Sequence, residues 1–329
     1  MTIVSLLSEK SLERQLHEQL CQGQLPDCFL YVGQGAGNWL ALDRSPRFGI
    51  ASGLTELLRR NVGEVARLLA RWPQAGDSRA CDEIGHKLDV LSVGVGEGIK
   101  ERILLDALLP LVRVRYLAVD ISRPLVEKAL AVVAHLDIDS VGVVSMLEEL
   151  PRLRCYRQRP TVLCLLGNNF CNYEPTSLLD MLRRELAPHD RLLLDCHLCP
   201  EGPPADGWRR RVEASYRNQT NVAFNLGPLV QRGVRPEDCQ FQLDLELVPG
   251  PHGDVFRTFK QIDILRDSVV RLGGQLLPLR HGQRIQMGFT YKYRPSQVVG
   301  LLADHGLGIL GQWSSEDGEN LLLLAGRTK

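Results

Sequence analysis

The stretch Leu91-Ser-Val-Gly-Val-Gly-Glu-Gly-Ile-Lys100 decides the fold class of this 329-residue chain. It starts inside a short apolar run, Leu88–Val93, and leads into the helical pattern of Ile99–Leu109. Its three glycines let the backbone turn sharply and approach a ligand more closely than any Cβ would allow. The pattern therefore predicts a strand, a tight turn and a helix, which is the first unit of an open α/β sheet.

Short apolar runs and helical segments alternate downstream of this turn. Such runs, bounded by Gly or Asp, are typical of a parallel sheet that helices cover on both faces. The predicted strands are Leu88–Val93, Val114–Val119, Ser140–Val144, Thr161–Leu166 and Arg191–Leu194, and the predicted helices are Ile99–Leu109, Arg123–Ala134 and Ser177–Leu186. We expect four or five units of a doubly wound α/β domain.

The segment before the alternation has a different pattern. Residues 1 to about 22 and residues 53–72 carry apolar side chains at helical spacing, which predicts two amphipathic helices. Between them, the stretch 32–37 is too rich in glycine for the interior of a helix.

The alternation stops after Pro200. A cluster of Gly and Pro at 201–207 indicates a crossing between domains. The predicted elements beyond it are a helix over 208–232, antiparallel strands at Gln240–Leu247, Val255–Ile264 and Leu276–Arg280, a helix at Pro295–Asp304, and a hairpin of Leu307–Trp313 and Asn320–Ala325. If that hairpin returns to complete the parallel sheet, the middle segment is an insertion.

Charge and hydropathy exclude several classes of protein. The 39 Lys and Arg balance the 39 Asp and Glu, so the chain lacks the basic footprint of a binder of nucleic acid or anionic membrane. No run of ~18 apolar residues is present, and the N-terminus lacks the layout of an export signal. We expect a cytoplasmic protein whose partner is a small molecule, not nucleic acid or membrane; the sequence leaves its oligomeric state open.

The nine cysteines are an odd number without a framework spacing, which favours a reducing compartment. Cys196 and Cys199 form a C-x-x-C pair, but no second pair has ligand spacing, so no metal is predicted. Motifs of serine hydrolases, zinc proteases and P-loop enzymes are absent from the sequence.

The glycine turn and an acid downstream together predict a nucleoside site. Asp120 ends the second predicted strand, where a carboxylate can accept both hydroxyls of a ribose. The spacing of Gly94, Gly96 and Gly98 is G-x-G-x-G, whereas binders of dinucleotides have G-x-G-x-x-G. The pattern favours S-adenosylmethionine (SAM), a nucleoside without a pyrophosphate, over NAD. The alternative is a purely structural turn.

A second polar loop, Gly167-Asn-Asn-Phe-Cys-Asn-Tyr-Glu-Pro175, follows the fourth predicted strand. Side chains at the carboxyl end of a central strand face the crevice in which open α/β sheets bind ligands. The side chains of Asn168 and Asn172 offer both donors and acceptors without a charge, which suits a site that holds an amine or a carboxylate. The alternative interpretation, stronger for Asn168, is an Asx-turn that caps the next helix.

These segments together resemble one family, the SAM-dependent histidine Nα-methyltransferases of ergothioneine biosynthesis and their fungal relatives that act on tryptophan derivatives. The resemblance covers most of the chain. It rests on 94–108, on Val119-Asp-Ile-Ser122, on 167–175, on Tyr216 with 222–225, on Lys292-Tyr-Arg294 and on the closing 313–325.

The resemblance implies a Rossmann-type SAM domain of the α/β class and a second α+β substrate domain. On that basis the expected segments are 1–75, the N-terminal helical part of the substrate domain; 76–200, the SAM domain; 201–285, the inserted substrate-binding part; and 286–329, the return that completes the Rossmann sheet.

The same resemblance implies a set of site residues. The predicted cofactor-binding residues are Phe48, Gly94, Gly96, Gly98, Lys100, Asp120, Ile121, Ser145, Met146, Gly167 and Asn168. The predicted substrate-binding residues are Tyr31, Trp39, Asn172, Tyr216, Asn221, Gly288 and Thr290. Asn172 and Tyr216 match the pair that anchors the amine and carboxylate of an amino-acid substrate, so they are the expected catalytic residues.

Two departures from the family bear on the substrate and the cofactor. The family's adenine-contacting Asp-Phe pair falls on Ser145 and Met146, and the Glu and Ser that contact imidazole fall on Gly288 and Thr290. Loss of that Glu should cost about 1.5–3 kcal/mol in the binding of an imidazole. We therefore predict SAM-dependent methylation of the nitrogen of an amino acid or derivative other than histidine. The alternatives are another small-molecule acceptor, such as an indole-type nitrogen, and a non-catalytic scaffold.

Overall fold

The structure is a computed structural model that describes residues 2–45, 49–71, 87–157, 160–201 and 206–328. Its strands are β1 Thr2–Ser5, β2 Gln24–Leu25, β3 Lys87–Val93, β4 Arg113–Asp120, β5 Asp139–Val144, β6 Thr161–Leu165, β7 Arg191–His197, β8 Cys239–Val248, β9 Val255–Ile264, β10 Ser268–Leu272, β11 Gln275–Leu279, β12 Arg284–Met287, β13 Thr290–Lys292, β14 Leu307–Ser314 and β15 Asn320–Arg327. Its helices are α1 Glu9–Cys21, α2 Gly35–Asp43, α3 Gly49–Arg71, α4 Ile99–Leu108, α5 Arg123–Val133, α6 Pro175–Glu185, α7 Asp206–Tyr216, α8 Gln219–Val230 and α9 Pro295–Asp304.

A large mixed sheet runs in the order β1-β5-β4-β3-β6-β7-β15-β14. All pairs from β1 to β7 are parallel. The β7–β15 and β15–β14 pairs are antiparallel. From β3 the chain first adds β4 and β5 on one side and then β6 and β7 on the other. The sheet therefore has a switch point between β3 and β6, where open α/β sheets bind ligands at the carboxyl ends of the strands.

Both faces of this sheet are covered, which explains the continuous apolar runs of its strands. Successive residues of β3 point to opposite faces. Val90 packs in the core that α3, α4 and α5 cover, and Leu91 packs in the core that α6 and α9 cover. The five predicted parallel strands and the returning hairpin are confirmed.

A second sheet is built mostly from the segment between β7 and α9. Strand β9 pairs with β8 along one edge and with β12 and β13 along the other, and β12 also pairs with β2. A separate hairpin consists of β10 and β11. Helices α1, α7 and α8 supply apolar side chains to the core beside this sheet, among them Leu16, Val212 and Leu229.

Two predictions for the N-terminal segment are wrong. Residues 2–5 form β1, which pairs in parallel with β5, so the predicted first helix begins only at Glu9. The glycine-rich stretch also contains the start of a helix, since α2 begins at Gly35. A Cβ on Gly35 would lie 1.9 Å from the carbonyl oxygen of Leu30. Glycine is therefore needed here because α2 packs closely against the preceding backbone.

The predicted helix over 208–232 is divided in two. Helix α7 ends at Tyr216, and the side chain of Asn218 caps α8 by accepting a hydrogen bond from the Asn221 amide at 2.9 Å. Strands β10, β12 and β13 were not predicted from the sequence.

The N-terminal residues contribute to both sheets. Strand β1 extends the large sheet, and Leu58 and Leu69 of α3 pack in the core beneath it, whereas β2 joins the second sheet. The expected boundary at 75/76 lies outside the described residues, and the four-segment division remains a proposal. Among the helices of the described ranges, none has both the length and the apolar character needed to cross a membrane.

Candidate active site

A cavity of about 1060 Å³ opens at the carboxyl ends of β3, β4, β5 and β6 and extends to the second sheet. Its wall contains every sequence-predicted site residue except Phe48, which lies outside the described residues. The cofactor group along it is Gly94, Gly96, Gly98, Lys100, Asp120, Ile121, Ser145, Met146, Gly167 and Asn168, and the substrate group is Tyr31, Trp39, Asn172, Tyr216, Asn221, Gly288 and Thr290. The structure thus brings the two groups together in one space, although their roles remain predictions.

The turn after β3 depends on glycine for steric reasons. Gly94 and Gly98 have φ values of 73° and 77°, in the left-handed region that favours glycine. A Cβ on Gly94 would lie 2.5 Å from Nδ2 of Asn169, and one on Gly98 would lie 2.7 Å from Cα of Ala129 in α5. The turn is therefore packed too tightly for a side chain at either position.

Asn169 fixes the turn to the neighbouring strand. Its Nδ2 donates to the carbonyl oxygens of Val93, Gly94 and Leu166 at 3.1, 3.2 and 2.7 Å. No role was predicted for this residue from the sequence. Its position next to Asn168 in a polar loop was the signal that could have identified it.

Asp120 lies at the end of β4 and is buried, with 6% of its surface exposed. Its two carboxylate oxygens accept hydrogen bonds from the Gly96 amide at 3.3 Å and the Ser122 amide at 2.9 Å. Burial raises the pKa of Asp120 to about 6, and the backbone hydrogen bonds act in the opposite direction. A carboxylate oxygen can accept a second hydrogen bond, so this side chain fits the hydroxyls of a ribose.

Lys100 forms an ion pair with an acid that was not predicted from the sequence. Its Nζ lies 3.1 Å from Oδ2 of Asp195 at the end of β7. The other oxygen of Asp195 accepts from the amides of Gly167 and Asn168, both at 2.7 Å. Asp195 therefore orders the lysine and the loop after β6 at the same time. Its place directly after a predicted strand, like that of Asp120, was an available signal.

The polar loop after β6 has a strained residue at its start. Asn168 has φ 64°, and its side-chain oxygen accepts from the amide of His197 at 2.7 Å. The ring of His197 lies 2.9 Å, Nδ1 to Nζ, from Lys292, which is fully buried. Burial, followed by the charge of Lys292, lowers the pKa of His197 well below its ordinary value. The Asn168 side chain thus joins the loop to β7 and does not cap the helix that follows, so the Asx-turn alternative raised for it is wrong.

The expected substrate anchors, Asn172 and Tyr216, both line the cavity and are bound by neighbouring side chains. Thr290 donates from Oγ1 to Oδ1 of Asn172 at 2.8 Å, which leaves the amide N–H₂ of Asn172 as its donor group. Asn221 donates to the carbonyl of Tyr216 at 2.6 Å and so fixes the end of α7 beside α8. Asn225 donates to both oxygens of Asn221, at 2.8 Å to the carbonyl and 3.1 Å to the side chain.

Three aromatic rings that line the cavity pack against one another. The centroid of Tyr31 lies 5.4 Å from that of Trp39 and 5.3 Å from that of Phe224, and the rings of Trp39 and Phe224 are 5.6 Å apart. Burial raises the pKa of Tyr31 well above its ordinary value, so its hydroxyl stays a neutral donor. The cluster offers flat apolar surfaces to a ring.

The segment after β5 begins with two uncharged residues, Ser145 and Met146. The Ser145 amide donates to the carbonyl of Asp120 at 2.9 Å, and its hydroxyl donates to the carbonyl of Met146 at 3.3 Å. The Ser145 hydroxyl and the Met146 carbonyl thus bond to each other. Glu148, two residues on, also lines the cavity.

An ion pair in the cavity wall could not be predicted from the sequence. Oδ2 of Asp27 lies 2.5 Å from Nζ of Lys260, and both residues line the cavity. They are 233 residues apart, so no local pattern relates them.

The two cysteines of the C-x-x-C pair lie in the protein interior. Cys196 and Cys199 are both buried, and burial raises the pKa of the Cys199 thiol to about 11. No group of three or more His, Cys, Asp or Glu within the described ranges is arranged to hold a metal ion.

A doubly wound sheet with a glycine turn after β3 and an acid at the end of β4 defines the class of Rossmann-type nucleoside-binding domains. The chain belongs to the family described as "Histidine-specific methyltransferase, SAM-dependent", whose family model matches residues 9–327. No curated protein matches the sequence significantly.

Several solved structures are similar to this chain. A SAM-dependent methyltransferase from Clostridium acetobutylicum is 12% identical with a TM-score of 0.38, covering 74% of this chain and 85% of the other. The SAM-bound amino pentose methyltransferase CalS10 from Micromonospora echinaspora is 14% identical with a TM-score of 0.38, covering 82% and 91%. The 1,6-didemethyltoxoflavin-N1-methyltransferase from Burkholderia thailandensis is 10% identical with a TM-score of 0.38, covering 82% and 79%.

Proposed function

We propose that this SAM-dependent methyltransferase transfers a methyl group to the amine nitrogen of an amino acid or an amino-acid-derived small molecule. The observation that carries the proposal is the single cavity whose wall holds both the glycine turn with Asp120 and the Asn172–Thr290 pair. A methyl donor at one end and an amine at the other would face each other within this space.

The cofactor end has the donors and acceptors that SAM requires. Asp120 would accept from the ribose hydroxyls, and Lys100, ordered by Asp195, would bind a carboxylate. The glycine turn keeps β-carbons away from the nucleoside. When bound, SAM supplies an electrophilic methyl group. The residues of the chain then have to hold a deprotonated amine in line with it, which is a task of proximity and orientation.

The acceptor end supports an α-amino acid. The N–H₂ group of Asn172 can donate to a carboxylate, and the hydroxyl of Tyr216 can donate or accept. Neither side chain carries a charge that would favour a protonated amine. The exclusion of histidine stays a prediction that rests on Gly288. A cytoplasmic location is likewise a proposal, and the eight described cysteines, all free, support it.

Calorimetric titration with S-adenosylhomocysteine (SAH) tests the cofactor half. We expect wild type to bind and Asp120→Ala to bind at least tenfold more weakly, since a hydrogen bond to a charged group contributes about 1.5–3 kcal/mol. Asp304→Ala, at an exposed carboxylate outside the cavity wall, is the matched control. No binding by wild type would instead favour the scaffold alternative, which rests on Ser145 in place of an acid.

Incubation with SAM and a panel of amino acids, with mass detection of the products, tests the acceptor half. A gain of one or more methyl groups on an α-amine supports the proposal. Methylation of an indole nitrogen only, with the α-amine unchanged, would contradict the proposal and favour the alternative of an indole-type acceptor.

A further inference from the structure

The carboxylate of Asp27 occupies the space in which a side chain of residue 288 would begin. A Cβ built on Gly288 would lie 2.5 Å from Cγ and 2.6 Å from Oδ1 of Asp27. Gly288 lies between β12 and β13 of the second sheet, and Asp27 begins a short 3-10 helix, Asp27–Tyr31. The carboxylate can take this position only because residue 288 has no side chain.

Lys260 pairs with one oxygen of this carboxylate, and the other oxygen is unused. Nζ of Lys260 lies 2.5 Å from Oδ2, and 20% of the Asp27 side chain remains exposed in the wall of the cavity. Oδ1 is buried and has no hydrogen-bond partner among the residues that the structure describes. Since Oδ1 is buried, a ligand donor reaches it only when the carboxylate turns toward the cavity. A buried acceptor without a donor costs free energy, which that hydrogen bond would recover.

The surroundings indicate which donor fits. Lys260 already balances the charge of Asp27. The Lys260 ammonium would repel a cationic group of a ligand, so a neutral N–H donor is favoured. Tyr31, on the same 3-10 helix, and Phe224 present aromatic faces to the cavity. Thr290, two residues beyond Gly288, binds the expected anchor Asn172. Asp27 thus lies near the anchored acceptor but on a separate element.

We propose that Asp27 determines acceptor specificity: its carboxylate accepts a hydrogen bond from a neutral N–H at the far end of a ring-bearing amino acid. This inference rests on the proposed function. It assigns to residue 27 the recognition that the family resemblance places at position 288, and it removes the argument against imidazole that Gly288 supplies. The acceptors it allows carry an imidazole or an indole N–H.

Pairs of amino acids with rings of similar size, one member with a ring N–H and the other without it, test the proposal. With SAH bound, the affinities of L-histidine and β-(2-thienyl)-L-alanine are compared by calorimetry, as are those of L-tryptophan and β-(3-benzothienyl)-L-alanine. We expect wild type to prefer the N–H member of at least one pair by about tenfold. Equal affinity within both pairs, or no binding by any of the four while SAH binds, would overturn the proposal.

The matched variant is Asp27→Leu/Lys260→Met, which removes both charges and leaves neither one unpaired in the wall. We expect this double variant to bind both members of each pair with about equal affinity. Its affinity for SAH should stay within about twofold of wild type. Asp267→Asn, at an exposed ion pair with Arg280, is the control and should keep the preference. A preference that persists in the double variant would place recognition elsewhere.

A second experiment uses the steric relation. Gly288→Glu should weaken binding of the preferred acceptor at least tenfold, because its Cβ and the Asp27 carboxylate need the same space. Asp27→Ala added to Gly288→Glu should restore most of the affinity, because the carboxylate introduced at position 288 then occupies the space of the one removed and can accept the same hydrogen bond. Equal losses in the single and double variants would contradict the proposed position of Asp27. Absence of SAH binding and of any methylated amino acid would refute the proposed function itself, which is a distinct result.

Discussion

The hydroxyl of Thr290 donates to the side-chain oxygen of Asn172 at 2.8 Å, and this hydrogen bond joins the second sheet to the loop after β6. The Thr290 amide is in turn bound by Oγ1 of Thr258 at 2.8 Å. Asn172 is therefore oriented by a strand from the other layer, and its N–H₂ group is the part left to meet an acceptor molecule.

Substitution of Thr290 by Val should reduce kcat/KM for the amino-acid acceptor about three- to tenfold, because a neutral hydrogen bond contributes about 0.5–1.5 kcal/mol. The shape of the side chain is retained, so the effect reports the loss of orientation at Asn172. Steady-state kinetics measure it, and SAH affinity should be unchanged. Thr176→Val, at an exposed position of α6, is the control. Equal kinetics in wild type and Thr290→Val would show that Asn172 is not positioned in this way.

Replacement of Lys100 by Met should lower the free energy of unfolding by about 3 kcal/mol, because it leaves a buried carboxylate without its cation. Asp195 is only 1% exposed, and its remaining partners are two backbone amides. SAH should also bind at least tenfold more weakly. Urea denaturation and calorimetry give the two quantities.

The double variant Lys100→Met/Asp195→Asn completes the cycle for this pair. We expect it to be less destabilised than the sum of the single variants, since it contains no unpaired charge. Strict additivity would mean that the two side chains contribute independently.

Affinity for SAH should decrease below pH 6. Burial raises the pKa of Asp120 to about 6, from an ordinary value of 3.8, so the free protein holds a proton there in weak acid. Only the ionised carboxylate accepts from both ribose hydroxyls, and each pH unit below 6 should therefore cost up to about tenfold in affinity. Calorimetry between pH 5 and pH 8 measures the profile. Asp120→Asn should bind weakly with a flatter profile, and an identical slope in both proteins would assign the titration to another group.

The large sheet could be predicted from the sequence because its signals are local. Buried parallel strands are apolar along their whole length, and a turn or helix separates each from the next. The edge strand β1 gave no such signal. Its residues are exposed or half-buried, and they are a strand only because β5, more than a hundred residues away, offers a free edge.

The two ends of the cavity differ in how far the sequence could specify them. Gly94 and Asp120 stand at fixed places in one βαβ unit, so their pattern indicates their use. Asp27, Lys260 and Gly288 come together only when the 3-10 helix, β9 and the β12–β13 turn pack against one another. By resemblance, Gly288 stands where the family has a Glu; in the structure, the carboxylate of Asp27 fills the space of that side chain.

Substitution of His197 by Gln should change how stability depends on pH. Burial and the nearby Lys292 lower the pKa of His197 well below 6.5 in the folded protein, whereas the unfolded chain takes up a proton near 6.5. Below pH 6.5 wild type should therefore lose stability relative to His197→Gln, by at most about 1.4 kcal/mol per pH unit. Urea denaturation from pH 7.5 to pH 5 measures the difference, with His281→Gln at an exposed position as the control. A constant difference across this range would mean that the folded protein binds the proton as readily as the unfolded chain does.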